Sequence, residues 1–273
     1  MNSITRIFVS VTTLLGMTTM TTVSAFTTPQ YHRYTTQQPC LNAEPSSDGN
    51  GNKMYQKIFV AGGTKGVGRC IVDQLVAQDR DVVVLARNSE DCTTLNAYSP
   101  HITAIQGDAF VIKDVENAMD GCDAAITTLG GSTTDTGSRI DYEGNNNVIE
   151  SAGILGVTRV VLVTSIGCGT SKAAAPPTVF DALKEVLLAK EKAENILIKY
   201  YTNMNWTIIR PGGLKSEPGT GCAILTEDAT TAIGSIHRED VAALVIQALD
   251  SPNTERKVLS AIDPTLLDRK SVV

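Results

Sequence analysis

Lys57-Ile58-Phe59-Val60-Ala61-Gly62-Gly63-Thr64-Lys65-Gly66-Val67-Gly68 joins a short apolar run to a glycine-rich turn, and an apolar-periodic stretch with Ile71, Leu75 and Val76 follows. A strand running into a tight turn and then a helix opens a βαβ unit. Gly62, Gly66 and Gly68 stand at G-x-x-x-G-x-G spacing. A dinucleotide-binding turn needs glycine there because the chain bends sharply, its backbone must approach a pyrophosphate, and the helix must pack closely on the strand. The helix N-terminus then offers free N–H groups and a positive dipole end to the phosphates. Glycines also serve ordinary strand-to-helix turns. Their position between the first strand and first helix of an alternating chain favours the nucleotide reading, and makes Gly62, Thr64, Lys65, Gly66, Val67 and Gly68 its expected contacts.

Working outward, β-branched runs recur at residues 58–61, 82–86, 102–105, 124–128, 160–164 and 207–209. Continuous apolar runs of this kind are how buried parallel strands read. Helix-like stretches such as 68–78 and 184–201 lie between them, so the expected class is α/β, a doubly wound parallel sheet of the Rossmann type. The expected layout is one domain over 53–273 with a small C-terminal substrate-side region. No repeat of fixed period interrupts it.

The second run ends at Ala86-Arg87-Asn88, where an NAD-specific fold usually places an acid for the ribose hydroxyls. Arg87 stands there instead, and a guanidinium holds a 2′-phosphate in a bidentate contact that an acid would repel. The expected cofactor is therefore NADP(H), with Lys65 and Arg69 as further positive charge or as solvent-facing residues. After the third run, Asp108 beside Ala109 reads either as a partner of the adenine amino group or as a cap of the next helix. Leu129, Gly130 and Gly131 after the fourth run leave little side chain above the strand end, as a passing cofactor or a flexible loop would require.

The chain has 273 residues, 42% of them hydrophobic and 19% charged, which suits one main core. Its first fifty or so residues differ, because only Arg6, Arg33, Glu44 and Asp48 carry charge before Lys53. Arg6, a short apolar stretch over 7–17 and Val23-Ser24-Ala25 have the shape of a secretory signal over 1–25, too short for a span of about 20 apolar residues. Residues 26–52 start at Phe26 and are rich in Thr, Gln and Pro, like a transit segment, and end in a Gly/Asn/Ser linker. This order resembles the bipartite plastid presequences of algae, so a plastid is the expected location and secretion the alternative. No membrane span is expected in the mature protein. The net charge of −6, with no Lys/Arg cluster, argues against nucleic acid and for a small-molecule partner. Six scattered cysteines without a C-x-x-C pair suggest neither a zinc site nor a dense disulfide framework, so no metal is expected.

Over 57–261 the chain resembles the atypical short-chain dehydrogenases related to biliverdin reductase B, NmrA-like proteins and the dehydrogenase-like subunit of the chloroplast import translocon. The resemblance rests on Val60-Ala61-Gly62-Gly63-Thr64, on Asp141-Tyr142-Glu143-Gly144-Asn145 and on Arg159-Val160-Val161-Leu162-Val163-Thr164-Ser165-Ile166-Gly167. It continues through Lys190-Glu191-Lys192-Ala193-Glu194, Trp206-Thr207-Ile208-Ile209-Arg210-Pro211-Gly212-Gly213-Leu214 and Ile236-His237-Arg238-Glu239-Asp240-Val241-Ala242.

It implies that Thr164 and Ser165 flank the nicotinamide and substrate. The Ser165 hydroxyl either orients a carbonyl or bonds its own backbone. It also implies that Pro211, Gly212 and the segment to Glu227 close over the nicotinamide, and that Lys190 is the lysine that follows a proton-donating tyrosine by four residues. Residues four apart share a helix face, so that tyrosine belongs at 186, where the chain has Val186. The earlier register, Phe180 with Lys184, lacks the hydroxyl too. Lys190 then either binds ribose hydroxyls or pairs with Glu194 on an exposed face. Asp240 is expected to cap the following helix and tie the C-terminal strand. Three functions follow: NADPH-dependent reduction of a small acceptor that takes its proton from water; a non-catalytic NADP(H) sensor or scaffold of a plastid protein complex; and an isomerase or epimerase, which would itself want an acid/base pair.

Overall fold

The computed structural model describes residues 55–131, 133–134, 137–229 and 234–266. The signal-like and transit-like segments lie outside them. Strand β1 (Lys57–Ala61) turns into helix α1 (Gly66–Val76), and the alternation continues through β2 (Asp81–Ala86), α2 (Ser89–Tyr98), β3 (Ile102–Gln106), α3 (Ile112–Met119) and β4 (Ala124–Thr127). The second half adds α4 (Glu143–Leu155), β5 (Arg159–Val163), α5 (Pro177–Tyr200) and β6 (Asn205–Pro211). Short strands β7 (Gly213–Lys215), β8 (Ile224–Thr226) and β9 (Ser235–His237) precede α6 (Arg238–Asp250) and β10 (Lys257–Ile262).

The main sheet has eight strands in the order β3-β2-β1-β4-β5-β6-β10-β8, and only the β10–β8 pairing is antiparallel. Strand order therefore reverses between β1 and β4, which opens a crevice at the carboxyl ends of the strands. Both faces are covered, and the period of two along each strand divides the core. Ile58, Val60, Val82, Val84 and Val161 pack with Ile71, Leu75, Leu95 and Val245 from α1, α2 and α6. Phe59, Val83, Leu85, Val160 and Leu162 pack with Val115, Ile149 and Leu197 from α3, α4 and α5. This two-sided burial is why the strands read as continuous apolar runs.

Arg159, 1% exposed at the start of β5, is held by carbonyls of α6 and β6. Its Nε donates to Leu249 O at 3.0 Å, Nη2 to Ala248 O, and Nη1 to Asn205 O at 2.6 Å. The last turn of α6 thus meets the guanidinium with its negative dipole end.

The expected strands are all present, β6 being longer than the 207–209 core. Helix α5 starts seven residues before the expected 184, because Pro177 sits in its first turn, where a missing N–H costs nothing. β7, β8, β9 and β10 carry too few residues, or too mixed a pattern, to have been read as strands. β7 and β9 form a small parallel pair beside the carboxyl ends of β6 and β10.

Candidate nucleotide and substrate site

A cavity of about 590 Å³ lies at the strand carboxyl ends and runs from the glycine turn to α5. Its lining includes Gly62, Thr64, Lys65, Gly66, Val67, Gly68, Arg87, Asp108, Ala109, Leu129, Gly130, Ser165, Lys190, Pro211 and Gly212, but not Gly131, and of the 213–227 segment only Leu214.

At the turn, the backbone itself explains the glycines. Gly62 and Gly66 have φ of +85° and +59°, a region L side chains rarely adopt. Gly68 has no room for a side chain, since a Cβ there would stand 2.1 Å from Gly62 O. These residues fit a pyrophosphate, for the first turn of α1 is bare of acidic side chains and its N-cap, Lys65, makes no side-chain hydrogen bond.

Arg87 is exposed at the rim, and its guanidinium has no partner among the described residues. Arg69 differs: Asp73 holds its Nε at 2.9 Å and its guanidinium lies 4.5 Å from the Tyr98 ring centre, so it is not spare phosphate charge. Asp108 caps no helix. α3 begins at Ile112 with Val111 as its N-cap, and the Asp108 carboxylate accepts from Phe110 N–H at 3.0 Å in a local turn.

The opposite wall is built around Lys190. Its Nζ donates to Leu129 O at 2.9 Å and stands 3.3 Å from Asp141 Oδ1. The expected alternative, a pair with Glu194, does not form. Glu194 turns inward and takes a bidentate contact from Arg210, at 3.0 Å and 2.7 Å, with Thr164 Oγ1 donating to it at 2.6 Å. Asp141 is fully buried, accepts Gly131 N–H at 3.1 Å, and also faces Arg139 Nη2 at 3.5 Å. Its Oδ1 has no aligned hydrogen bond, so the Lys190 ammonium is its countercharge.

Asn145 Nδ2 donates to Asp141 O at 2.8 Å and Thr127 Oγ1 donates to Asn145 Oδ1 at 2.6 Å, which pins the start of α4 to the end of β4. Gly130 is small for the same reason: a Cβ there would come 2.9 Å from Asp141 Oδ1 and 3.0 Å from Lys190 Nζ.

Val186 lines the cavity one turn before Lys190 on α5, with Leu183 and Leu187 beside it. Phe180 does not reach the cavity and lies against Lys172. Ser165 lines it, with its hydroxyl donating to Ile166 O at 2.9 Å. Nearby, burial pushes the Cys168 thiol up to about 12, so it stays protonated.

A model of the NAD(P)H-binding family matches residues 62–252. The chain belongs to that family. It is 33% identical to the uncharacterized sugar epimerase YhfK of Bacillus subtilis over 74% of this chain and 91% of that protein. An uncharacterized chloroplastic protein of Arabidopsis thaliana is 31% identical, with 76% of each chain covered. Among solved structures, ChuY, an anaerobillin reductase from Escherichia coli O157:H7, superposes with a TM-score of 0.70 at 28% identity, covering 78% of this chain and all of ChuY.

Within this NAD(P)H-binding chain, two side chains, one buried behind the cavity wall and one lining it, had no role in the sequence reading. Asp141 belongs to a quoted motif, yet nothing local tells that it meets Lys190 from 49 positions away. Arg238, in the first turn of α6, lies 3.9 Å from the position a Gly66 Cβ would take. It comes there because α6 packs along α1.

Proposed function

We propose that the chain is an NADPH-dependent reductase of a small acceptor with an apolar face, and that it transfers hydride without a side-chain proton donor. The observation that carries this is the α5 wall: Lys190 is held in place by Asp141 and Leu129 O, while the position one turn earlier is Val186. A bound reduced nicotinamide would supply the hydride, to an electron-poor atom of the acceptor.

The residues divide the remaining work. The glycine turn, with Lys65 and Arg238, takes the pyrophosphate; Arg87 takes the 2′-phosphate; Asp108 and Ala109 border the adenine. Lys190 binds the nicotinamide ribose, and Thr164, Ser165, Pro211 and Gly212 flank the nicotinamide. Leu183, Val186 and Leu187 form an apolar wall suited to a flat conjugated acceptor such as a quinone, a flavin or a tetrapyrrole, whose proton comes from solvent. Similarity to an anaerobillin reductase supports the tetrapyrrole class. The plastid location is supported by the presequence pattern and by the chloroplastic relative.

The same Val186 favours a second reading, a non-catalytic NADP(H) sensor or scaffold within a plastid complex. Calorimetric titration with NADPH and NADH, followed by NADPH oxidation with quinones, flavins and biliverdin, separates the two. Tighter NADPH binding together with turnover establishes the reductase. Binding without turnover establishes the sensor, and equal affinity for both cofactors removes the role given to Arg87.

A further inference from the structure

Beyond Arg238, outside the cavity lining, three buried ligand-type side chains converge from three elements. His237 ends β9, Asp240 lies in the first turn of α6, and Asp263 directly follows β10. They are 6%, 6% and 0% exposed, and one ligand atom from each lies within 4.8 Å of the others. Asp240 was expected to cap α6. The N-cap is His237, without a side-chain cap bond, and the Asp240 carboxylate instead accepts Thr220 N–H at 2.8 Å and Gly221 N–H at 3.0 Å.

The charge and hydrogen-bond balance of this cluster is incomplete. Among the described residues, no lysine or arginine lies within ion-pair distance of Asp240 or Asp263, whose sole basic neighbour is His237. Two buried carboxylates without a countercharge are costly. The Thr220 hydroxyl has one proton to offer Asp263 Oδ2 at 2.5 Å and Asp240 Oδ2 at 3.3 Å, and cannot serve both. His237 Nδ1 is buried, has no hydrogen-bond partner, and faces Asp240 Oδ2 at 3.7 Å. On the other side of the ring, Nε2 faces Glu217 Oε2 at 3.8 Å. Each ring nitrogen thus faces a carboxylate, and a cation seated at Nδ1 takes the place of a proton there while Nε2 keeps its own toward Glu217.

We propose that His237, Asp240 and Asp263 bind a divalent first-row cation, with Zn²⁺ the best match to one imidazole nitrogen and two carboxylate oxygens. Water completes the coordination. The hydrogen bonds from Thr220, Gly221 and Thr265 orient the carboxylates as ligating carboxylates generally require. Tetrahedral metal–ligand bonds of about 2.0–2.2 Å put ligand atoms about 3.4 Å apart, so these atoms, which lie within 4.8 Å of one another, draw together on binding. That contraction draws the loop carrying Thr220 onto β9, α6 and the end of β10. Arg238, which lines the cavity, sits on α6 beside the clamp, and Leu214, which also lines it, lies on β7 opposite Ile236 of β9, so the cation stiffens that wall. The inference stands apart from the hydride reading.

The test is to strip the purified chain with a chelator and titrate it with Zn²⁺ by calorimetry and with Co²⁺ by visible absorption. One equivalent is expected, with Co²⁺ d–d bands and no thiolate charge-transfer band, and Zn²⁺ is expected to raise the thermal midpoint. His237→Gln and Asp263→Asn are each expected to weaken uptake at least tenfold and abolish the thermal shift. If Asp263→Asn does not fold, His237→Gln and the wild-type titration still decide. The proposal is overturned if the wild type takes up no equivalent, if His237→Gln binds as tightly as wild type, or if a thiolate band places the metal on cysteine.

Discussion

The two ends of the cavity are built on different principles. At the nucleotide end, twelve consecutive residues from Lys57 to Gly68 make the strand, the turn and the start of the helix, and the decisive contact, Gly62 O against Gly68, spans six positions. At the opposite end, on the α5 side, Lys190 meets Asp141, and Glu194 meets Arg210 and Thr164, all from separate elements. A site made by one turn carries its geometry in its own spacing. A site made by several elements acquires its pairings only when the sheet brings strand ends together.

The sharpest break of this comparison comes from the buried Arg210–Glu194 pair, whose side chains are 5% and 2% exposed. Glu194→Ala leaves a buried guanidinium unpaired and is expected to cost about 3–5 kcal/mol of stability in urea denaturation. A loss below 1 kcal/mol would mean the α5 side is not held by this pair.

Val186→Tyr restores a hydroxyl one turn before Lys190. General acid catalysis contributes roughly 10²–10⁴-fold, so ketone reduction is expected to rise about 100-fold over the wild-type background. No gain would show that Lys190, committed to Asp141, cannot support a tyrosine.

At the nucleotide end, Gly68→Ala forces a Cβ against Gly62 O and is expected to cost about 1–3 kcal/mol of stability. NADPH affinity is expected to fall with it, as titration would read. Arg87→Ala touches no partner in the fold, so the thermal midpoint stays put while the NADPH preference over NADH drops by about tenfold, near 1.4 kcal/mol.

The smallest effect concerns pH. Burial raises the thiols of Cys168 to about 12 and Cys122 to about 11, from an ordinary 9.0. The folded state therefore favours the protonated thiols. Their contribution is full below pH 9 and is lost as pH rises through the window to about 12. Urea midpoints at pH 8, 9 and 10 are expected to hold and then fall, with a shallower fall in Cys168→Ala.

Much of the architecture was legible because parallel strands buried on both faces read as continuous apolar runs, as 58–61, 82–86, 124–126 and 160–163 do. The short strands β7 and β9 were not, since three residues carry no periodicity and their partners are set by where β6 and β10 end. Gly130 shows how a correct placement can carry an incomplete reason. It lines the cavity as expected, yet its missing side chain makes room for Lys190 and Asp141.

By itself, then, the sequence determined the alternating core, the glycine turn, the arginine at the end of β2 and the absence of a hydroxyl at 186, because these depend on side-chain type and near-neighbour spacing. Tertiary structure alone decided that Asp141 balances Lys190, that Arg238 reaches the glycine turn, and that His237, Asp240 and Asp263 converge. The physical reason is one of range: spacing governs what one turn of helix or strand can reach, whereas buried charges find their partners across the whole packed sheet.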